Sequence, residues 1–475
     1  KPCIYFVQRI LYRHNAIKGL YMKIKKLSIL ILSIIFIICH PAETVNVSAD
    51  DSSALGLPEF PKISSDYVVL MDADSGEILY SSNADTQCYP ASTTKLLTAL
   101  LTVENCSLTD TVTFSQAAVD SIDYGDANAS ISPGEELTIE QALYCLILRS
   151  ANEVAYGLAE HVGQTVSSFA SMMNSRTEEL GATHTHFTNP SGLSDQFHYT
   201  TPYDMALIAQ ACFNNKTLMK IVSHSGVYTI GPTNKSNFTR YYRHRYQMLP
   251  GGDYAYKYSL GGKTGYTDAA GNCLVSFAQK DDLRLICVIM KSTDAGRYKD
   301  TTALFDYYFN NYHKVYLDNS ASSLSTGQVD ILNITGRVSS SSDISIGFAD
   351  DTYLLVPTSV KLSELTGIVT YSDNPAYAGK DGGFACITYY YGNTNVGNAT
   401  IMINYTGNNK NTGLNGVPHA SYSTYNPSKD TVFHINIPIV AGIILGVGLI
   451  TAGIIFILRN FRRRRSHYGS RRLRF

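Results

Sequence analysis

The feature that most limits what this chain can be is a nearly unbroken apolar run, Ile437 to Leu458, followed at once by Arg459, Arg462, Arg463, Arg464 and Arg465. A bilayer core takes about 20 apolar residues to cross. A cluster of Arg beside such a run stays on the cytoplasmic side. The pattern predicts one transmembrane helix over 435–458, a basic cytoplasmic tail over 459–475, and everything before the span outside the cell, with the membrane itself as a partner. The other end agrees. Met22 reads as the true start. Lys23, Lys25 and Lys26 precede the apolar run Leu27 to Cys39, and Val47-Ser48-Ala49 offers small residues for cleavage. Residues 1–49 therefore read as a leader with a secretory signal peptide. An uncleaved anchor is the alternative.

The segment between these ends must supply the fold, and its charge narrows the function. The chain holds 38 Lys and Arg against 39 Asp and Glu. Seven of the basic residues and one acid lie in 1–49, and eight Arg with no acid lie in 459–475, which leaves 23 basic against 38 acidic residues between. A body this acidic is a poor partner for nucleic acid, whose binding depends on neutralising phosphates. Seven cysteines fall in this body, at 88, 106, 145, 212, 273, 287 and 386. An odd number without a framework, set mostly in apolar runs, reads as buried free thiols. A single disulfide is the alternative.

Periodicity divides the body. Val68 to Met71 and Ile78 to Tyr80 flank Asp72-Ala73-Asp74-Ser75-Gly76, the pattern of a β-hairpin. Helical patterns follow at Leu96, Leu97, Leu100 and Leu101, then over Thr138–Leu148, Glu153–Val162 and Pro202–Cys212. Strands return at Gly262–Tyr266, Asn272–Ala278 and Leu283–Met290, with a last helix around Asp300–Tyr312. Strands at both ends of a helical middle predict an α+β domain over 58–312, whose ends meet in one antiparallel sheet. From 315 to 405 short Val/Ile/Tyr segments alternate with Ser/Asp/Gly turns, as in a small all-β domain. Residues 406–434 read as a linker.

Three short motifs stand in order in the first domain: Ser92-Thr93-Thr94-Lys95, Ser150-Ala151-Asn152 and Lys263-Thr264-Gly265. A Lys-Thr-Gly is expected by chance only about 0.1 times in such a chain. Their places say more. Ser92 opens a helix, where unpaired N–H groups and a positive dipole end can hold an oxyanion. Lys95 follows three residues on, on the same face. A serine hydroxyl needs a base to attack, and a lysine serves when burial or a second cation depresses its pKa. Lys263 is the cation expected to do so. Ser150 can relay a proton between the two lysines, and Asn152 offers an amide for substrate. No cofactor is needed and no metal is expected. His184-Thr185-His186 is too few ligands, and the zinc-peptidase pattern His-Glu-x-x-His does not occur.

The same triplet of motifs marks penicillin-binding proteins and β-lactamases. The longer segments "YVVLMDADSGEILYSSNADTQCYPASTTKLLTALL", "LILRSANEVAYGLAEHV", "FTNPSGLSDQFHYTTPYDMALIA" and "GGKTGYTDAAGNCLVSFA" resemble low-molecular-mass penicillin-binding proteins of the serine D-alanyl-D-alanine carboxypeptidase family. The resemblance covers about Pro58 to Tyr312, with a weaker match in the β domain. It implies a penicillin-binding/β-lactamase-like transpeptidase fold, an antiparallel sheet with a helical subdomain. It implies peptidoglycan stem peptides ending in D-Ala-D-Ala as substrates and β-lactams as covalent inhibitors. It makes Ser92 the nucleophile, Lys95 the base, Ser150 the relay and Asn152 a substrate-positioning group. Lys263 and Thr264 face the substrate carboxylate, Ser92 and Tyr266 give the oxyanion-hole N–H groups, and Arg297 falls where the family often has a carboxylate-binding Arg. Two features depart from the pattern: Ser191 stands where the family often has His, and the C-terminal span stands where many relatives end in an amphipathic helix.

Two other functions share these residues. A class A β-lactamase would have Ser-Asp-Asn and a deacylating Glu. Here Ala151 is the middle residue, and Thr183–Gln196 contains no Glu. A silent peptidoglycan-binding protein would have no physical need to keep Ser92, Lys95, Ser150 and Lys263 together. Turnover of a D-Ala-D-Ala peptide separates all three.

Overall fold

A computed structural model of the protein describes residues 56–123, 125–317, 344–348, 351–371, 383–392 and 394–405. The expected leader, the linker, the span and the Arg-rich tail lie outside these residues. Among the described residues no helix is long and apolar enough to cross a membrane.

Strands β1 (Tyr67–Asp72) and β2 (Ile78–Ser82) form the expected hairpin. Gly76, at φ +75°, sits in its turn, and the Asp72 carboxylate accepts from the Asp74 N–H at 2.9 Å. A 3₁₀ turn, Ala91–Thr94, leads into α1 (Lys95–Asn105). Next come β3 (Thr111–Thr113), α2 (Gln116–Asp120), β4 (Glu136–Thr138) and α3 (Ile139–Tyr144), then a π turn, Cys145–Arg149. Helices α4 (Asn152–Gly163), α5 (Val166–Glu179), α6 (Pro202–Asn214) and α7 (Lys216–Val222) complete the helical part. The hairpin β5 (Tyr228–Ile230) and β6 (Arg240–Tyr242) precedes β7 (Ser259–Thr267), β8 (Gly271–Lys280), β9 (Leu283–Ser292) and α8 (Asp294–Asn311).

The main sheet is antiparallel in the order β2-β1-β9-β8-β7, so the first and last strands of the domain pair across it. This is the antiparallel sheet with a helical part that the resemblance implies, with further sheets beyond it. Side chains of a strand alternate between faces. On one face Val69, Met71, Val275, Phe277, Ile286 and Val288 pack against the helices. On the other Val68, Leu70, Leu274, Leu285, Cys287 and Ile289 pack under α8. Burial on both faces explains why β1, β8 and β9 read as continuous apolar runs. Helix α1 is buried from Lys95 through Thr102. It is the central helix, which puts its first residue, a lysine, deep in the protein.

Helix α8 begins at Asp294, earlier than the pattern predicts. Thr293 caps it, accepting from the Gly296 N–H. Strand β10 (Tyr312–Tyr316) follows directly and pairs with β12 (Tyr353–Pro357). The second sheet is β11-β15-β14-β13, from β11 (Ile344–Phe348), β13 (Thr366–Tyr371), β14 (Gly383–Tyr391) and β15 (Thr394–Tyr405). Its core holds Phe348, Leu354, Val356, Ile387, Tyr389 and Ile401. At the junction of the two parts Lys314 Nζ donates to Asp74 at 2.6 Å, Arg284 to the other oxygen of Asp74 at 2.7 Å, and Tyr353 to Asp72 at 2.8 Å. All seven cysteines of the body are free, and all but Cys106 are buried.

Candidate active site

The first motif is held where the 3₁₀ turn meets α1. Ser92 lies in that turn and Lys95 opens the α-helix, so the helix starts later than the sequence pattern suggests. The i,i+3 relation survives: Lys95 Nζ donates to Ser92 Oγ at 2.9 Å. Ala91, just before the serine, has φ +49°, a conformation that side chains other than Gly or Asn adopt at a cost. Its carbonyl is covered by Gly192, where a Cβ would fall 1.8 Å from Ala91 O. Gly265 of β7 also lies against the turn, less tightly; a Cβ there would meet Ser92 N at 3.1 Å. Two glycines thus let the backbone of two other segments close on the serine turn.

Lys95 reaches two further oxygens. It donates to Asn152 Oδ1 at 2.7 Å and to the Ser191 carbonyl at 2.6 Å. An ammonium has three N–H donors, and these three acceptors use them all. A neutral amine has two N–H groups and a lone pair. With Asn152 and Ser191 holding the two, the lone pair faces Ser92 Oγ. The geometry therefore already points the free base at the serine hydroxyl.

The second motif turns sharply after the π turn. Ser150 is left-handed (φ 60°, ψ 34°), and α4 starts at Asn152. The turn puts the Ser150 hydroxyl 2.9 Å from Lys263 Nζ, which donates to it and, at 2.7 Å, to the Thr264 carbonyl. A hydroxyl that accepts from one lysine keeps its own proton free to give elsewhere.

Both lysines are buried, at 0% and 1% exposure, and neither has an ion-pair partner among the described residues. Burial pulls Lys95 down to about 7; Glu153 and Asp126 pull it back up, and Arg245 lowers it further. Lys263 lies well below its ordinary range, through burial first and then through Lys95, Arg245 and Arg297. Desolvation, not a neighbouring cation, is thus the leading cause in both. The two lysines also repel each other, so each disfavours the other's charged form, as expected of Lys263, and Arg245 adds to the depression of both.

A cleft of about 940 Å³ opens over these groups. Ser92, Ser150, Asn152, Thr264, Tyr266 and Arg297 all line it, and the two buried lysines reach its lining through Ser92 and Ser150, so the structure brings every predicted residue together. Tyr266 is 59% exposed at the rim, its hydroxyl donating to Asp268 at 2.9 Å. Arg297 lies in the first turn of α8, and it is buried. It donates to the carbonyls of Gly265 (3.3 Å) and Cys273 (3.1 Å) and pairs with Asp294. Its Nε has no partner. Of the tyrosines between β6 and β7 and at the end of β6, Tyr242, Tyr246 and Tyr256 are core residues, while Tyr254 stacks on Tyr298 in the cleft wall at 4.5 Å.

Sequence reasoning missed the groups that act through carbonyls and through packing. Ser191 contributes its main chain, which no side-chain pattern reveals. His198, 1% exposed, accepts from the Thr188 N–H on Nδ1 (3.1 Å), so its Nε2 carries the proton shared with Thr94 Oγ1 (2.9 Å). It ties the serine turn to the segment that carries Ser191. Glu153, one residue after Asn152, was read only as the start of a helix.

The sequence profile of a family described as D-alanyl-D-alanine carboxypeptidase matches residues 55–294. Among curated proteins, "D-alanyl-D-alanine carboxypeptidase DacF" of Bacillus subtilis is 31% identical over 53% of this chain and 64% of its own length. The chain thus spans just under two thirds of that relative. "D-alanyl-D-alanine carboxypeptidase" of Streptomyces sp. strain K15 is 31% identical over 50% of this chain and 85% of its own length. The crystal structure of "D-alanyl-D-alanine carboxypeptidase DacD" from Francisella tularensis superposes with a TM-score of 0.56, at 22% identity, covering 74% of this chain and 95% of that one. That likeness shows the fold.

Proposed function

Because the chain belongs to the D-alanyl-D-alanine carboxypeptidase family, we propose that it removes the terminal D-Ala from peptidoglycan stem peptides ending in D-Ala-D-Ala, through an acyl-serine at Ser92. The observation that carries this is Lys95 Nζ, 2.9 Å from Ser92 Oγ, with Asn152 and Ser191 holding its other two donors. Ser92 Oγ attacks the carbonyl of the penultimate D-Ala while Lys95 takes its proton. The N–H groups of Ser92 and Tyr266 hold the oxyanion. The proton passes through Ser150 to the leaving nitrogen, the C–N bond breaks, and D-Ala departs. Water then attacks the ester, Lys95 takes a proton from it, and Ser92 Oγ recovers one. Lys263, Thr264 and Arg297 face the terminal carboxylate, and Asn152 positions the acyl chain.

A β-lactam acylates the same serine. Intact mass spectrometry after mixing with penicillin, followed by peptide mapping, tests the reading: the adduct should sit on Ser92 and vanish in Ser92→Ala. Label on another residue sinks it. A β-lactamase would instead shed the adduct rapidly.

The reading extends to location. The run Ile437–Leu458 and the Arg-rich tail support a single C-terminal anchor, with the catalytic part outside and the tail inside. Protease added to intact protoplasts should release a soluble penicillin-binding fragment; protection of residues 406–434 would overturn this orientation.

A further inference from the structure

Glu153 is a buried carboxyl that the mechanism above leaves idle. It is 1% exposed, in the first turn of α4, directly after Asn152. One oxygen, Oε1, accepts from the Ala129 N–H at 2.6 Å, while Oε2 is buried with no hydrogen-bond partner. Burying such a group costs more than a surface carboxylate would repay. What Oε1 holds is the wall of the cleft. Asp126 and Ala127 line it, the Asn152 N–H donates to Ala127 O at 2.8 Å, and Tyr242 donates to Ala129 O at 2.7 Å. The residue before Glu153 in turn accepts from Lys95.

We infer that Glu153 is a positioning residue with two jobs: Oε1 fixes the 125–131 wall against the Ser150–Asn152 turn, and the charge of the carboxylate sets how readily Lys95 gives up its proton. This rests on the reading of Ser92 and Lys95 as nucleophile and base. The groups facing Lys95 are few. Asn152 and Glu153 come from α4, Asp126 from the wall, Lys263 from β7, Arg245 from the segment before it, and neutral His198 from behind. Burial holds the Glu153 carboxyl above its ordinary range, while backbone N–H groups and the charge of Lys95 favour its ionised form; its charge is felt also by Cys145 and Tyr242. Its carboxylate is the strongest influence that keeps Lys95 protonated, acting against burial. It thus brakes the base on the acid side and keeps a buried amine within reach of neutral pH.

The test is the pH profile of acylation by fluorescent penicillin, with the full chain, in wild type, Glu153→Gln, Glu153→Asp and Asp126→Asn. Glu153→Gln keeps an oxygen for Ala129 N but loses the charge. Its acid limb should move down by about one pH unit, the lower end of what one nearby charge does to a pKa. Glu153→Asp keeps the charge but retracts from Ala129 N. Its limb should stay near wild type while penicillin binding weakens several-fold. Asp126→Asn, on a more open group, should shift the limb less than Glu153→Gln. Superimposed limbs in wild type and Glu153→Gln overturn the electrostatic part. If Glu153→Gln does not fold, a Glu153→Asp limb displaced by a full unit overturns it equally. Wild-type protein that takes no label at all would sink the proposed function together with this inference; normal labelling with unmoved limbs sinks the electrostatic part alone, and undiminished penicillin binding in Glu153→Asp sinks the wall-fixing part.

Discussion

Two buried clusters of charge in this protein treat lysine in opposite ways. At the junction of the two parts, Lys314 has 3% side-chain exposure and lies 2.6 Å from the Asp74 carboxylate and 4.1 Å from the centre of the Tyr353 ring. In the cleft, Lys95 and Lys263 have similar burial but meet only neutral oxygens. The first arrangement repays the loss of water with a counter-charge. The second does not, so each amine is pushed towards its uncharged form. The contrast separates a lysine that holds the structure from lysines made reactive at the expense of stability.

The largest effect that would sharpen the contrast is on acylation. Lys95→Ala should slow penicillin acylation by about 10²–10⁴-fold, the usual worth of a positioned base, with folding intact. Lys314→Ala should leave that rate within about two-fold. Near-normal acylation in Lys95→Ala would erase the distinction.

Next comes Arg297, whose guanidinium belongs to the cleft but is satisfied mostly by carbonyls and Asp294. Arg297→Ala should lower kcat/KM on D-Ala-D-Ala peptides by about 10- to 150-fold, the loss of one charge-assisted hydrogen bond. Amide-capped analogues should lose less. Equal losses would show that Arg297 only braces β7 and belongs with the structural charges.

The junction should reveal itself in stability instead. Lys314→Ala leaves Asp74 with Arg284, so the cost should be about 1–3 kcal/mol, below that of breaking a fully buried pair. Thermal unfolding measures it. An unchanged Tm would mean that this pair is as idle as a surface salt bridge.

The smallest effect concerns Glu77 on the hairpin, raised by burial and by Asp72 from 4.5 to about 7. Its pKa is higher folded than unfolded. The stability linked to its protonation is therefore complete below about 4.5 and lost as pH rises towards about 7. Glu77→Gln should thus stabilise the protein above pH 7 by about 1 kcal/mol, allowing for partial solvent access, and change little near pH 4. The opposite pH dependence would show that a carboxylate is wanted there.

Much of this was legible beforehand, for reasons that can be named. The nearly continuous apolar runs Val68–Met71 and Leu283–Met290 follow from a sheet covered on both faces. The three-residue step from Ser92 to Lys95 puts both on one face whether the turn is 3₁₀ or α. The start of α8 was misplaced because Thr293 caps it while its apolar residues begin only later, at Tyr298.

The sequence by itself determined which groups the chemistry can use, Ser92, Lys95, Ser150 and Lys263, because hydroxyl and amine are properties of side chains and short spacings fix their local geometry. Only the tertiary structure decided that they come together. Lys95 and Lys263 are 168 residues apart in number, and nothing local brings them to one cleft. Burial of both lysines, the Ser191 carbonyl at 2.6 Å, the left-handed turn at Ser150 and the orphan oxygen of Glu153 are all consequences of packing. A pKa depends on what surrounds a group in space, and the chain's order alone does not contain those surroundings.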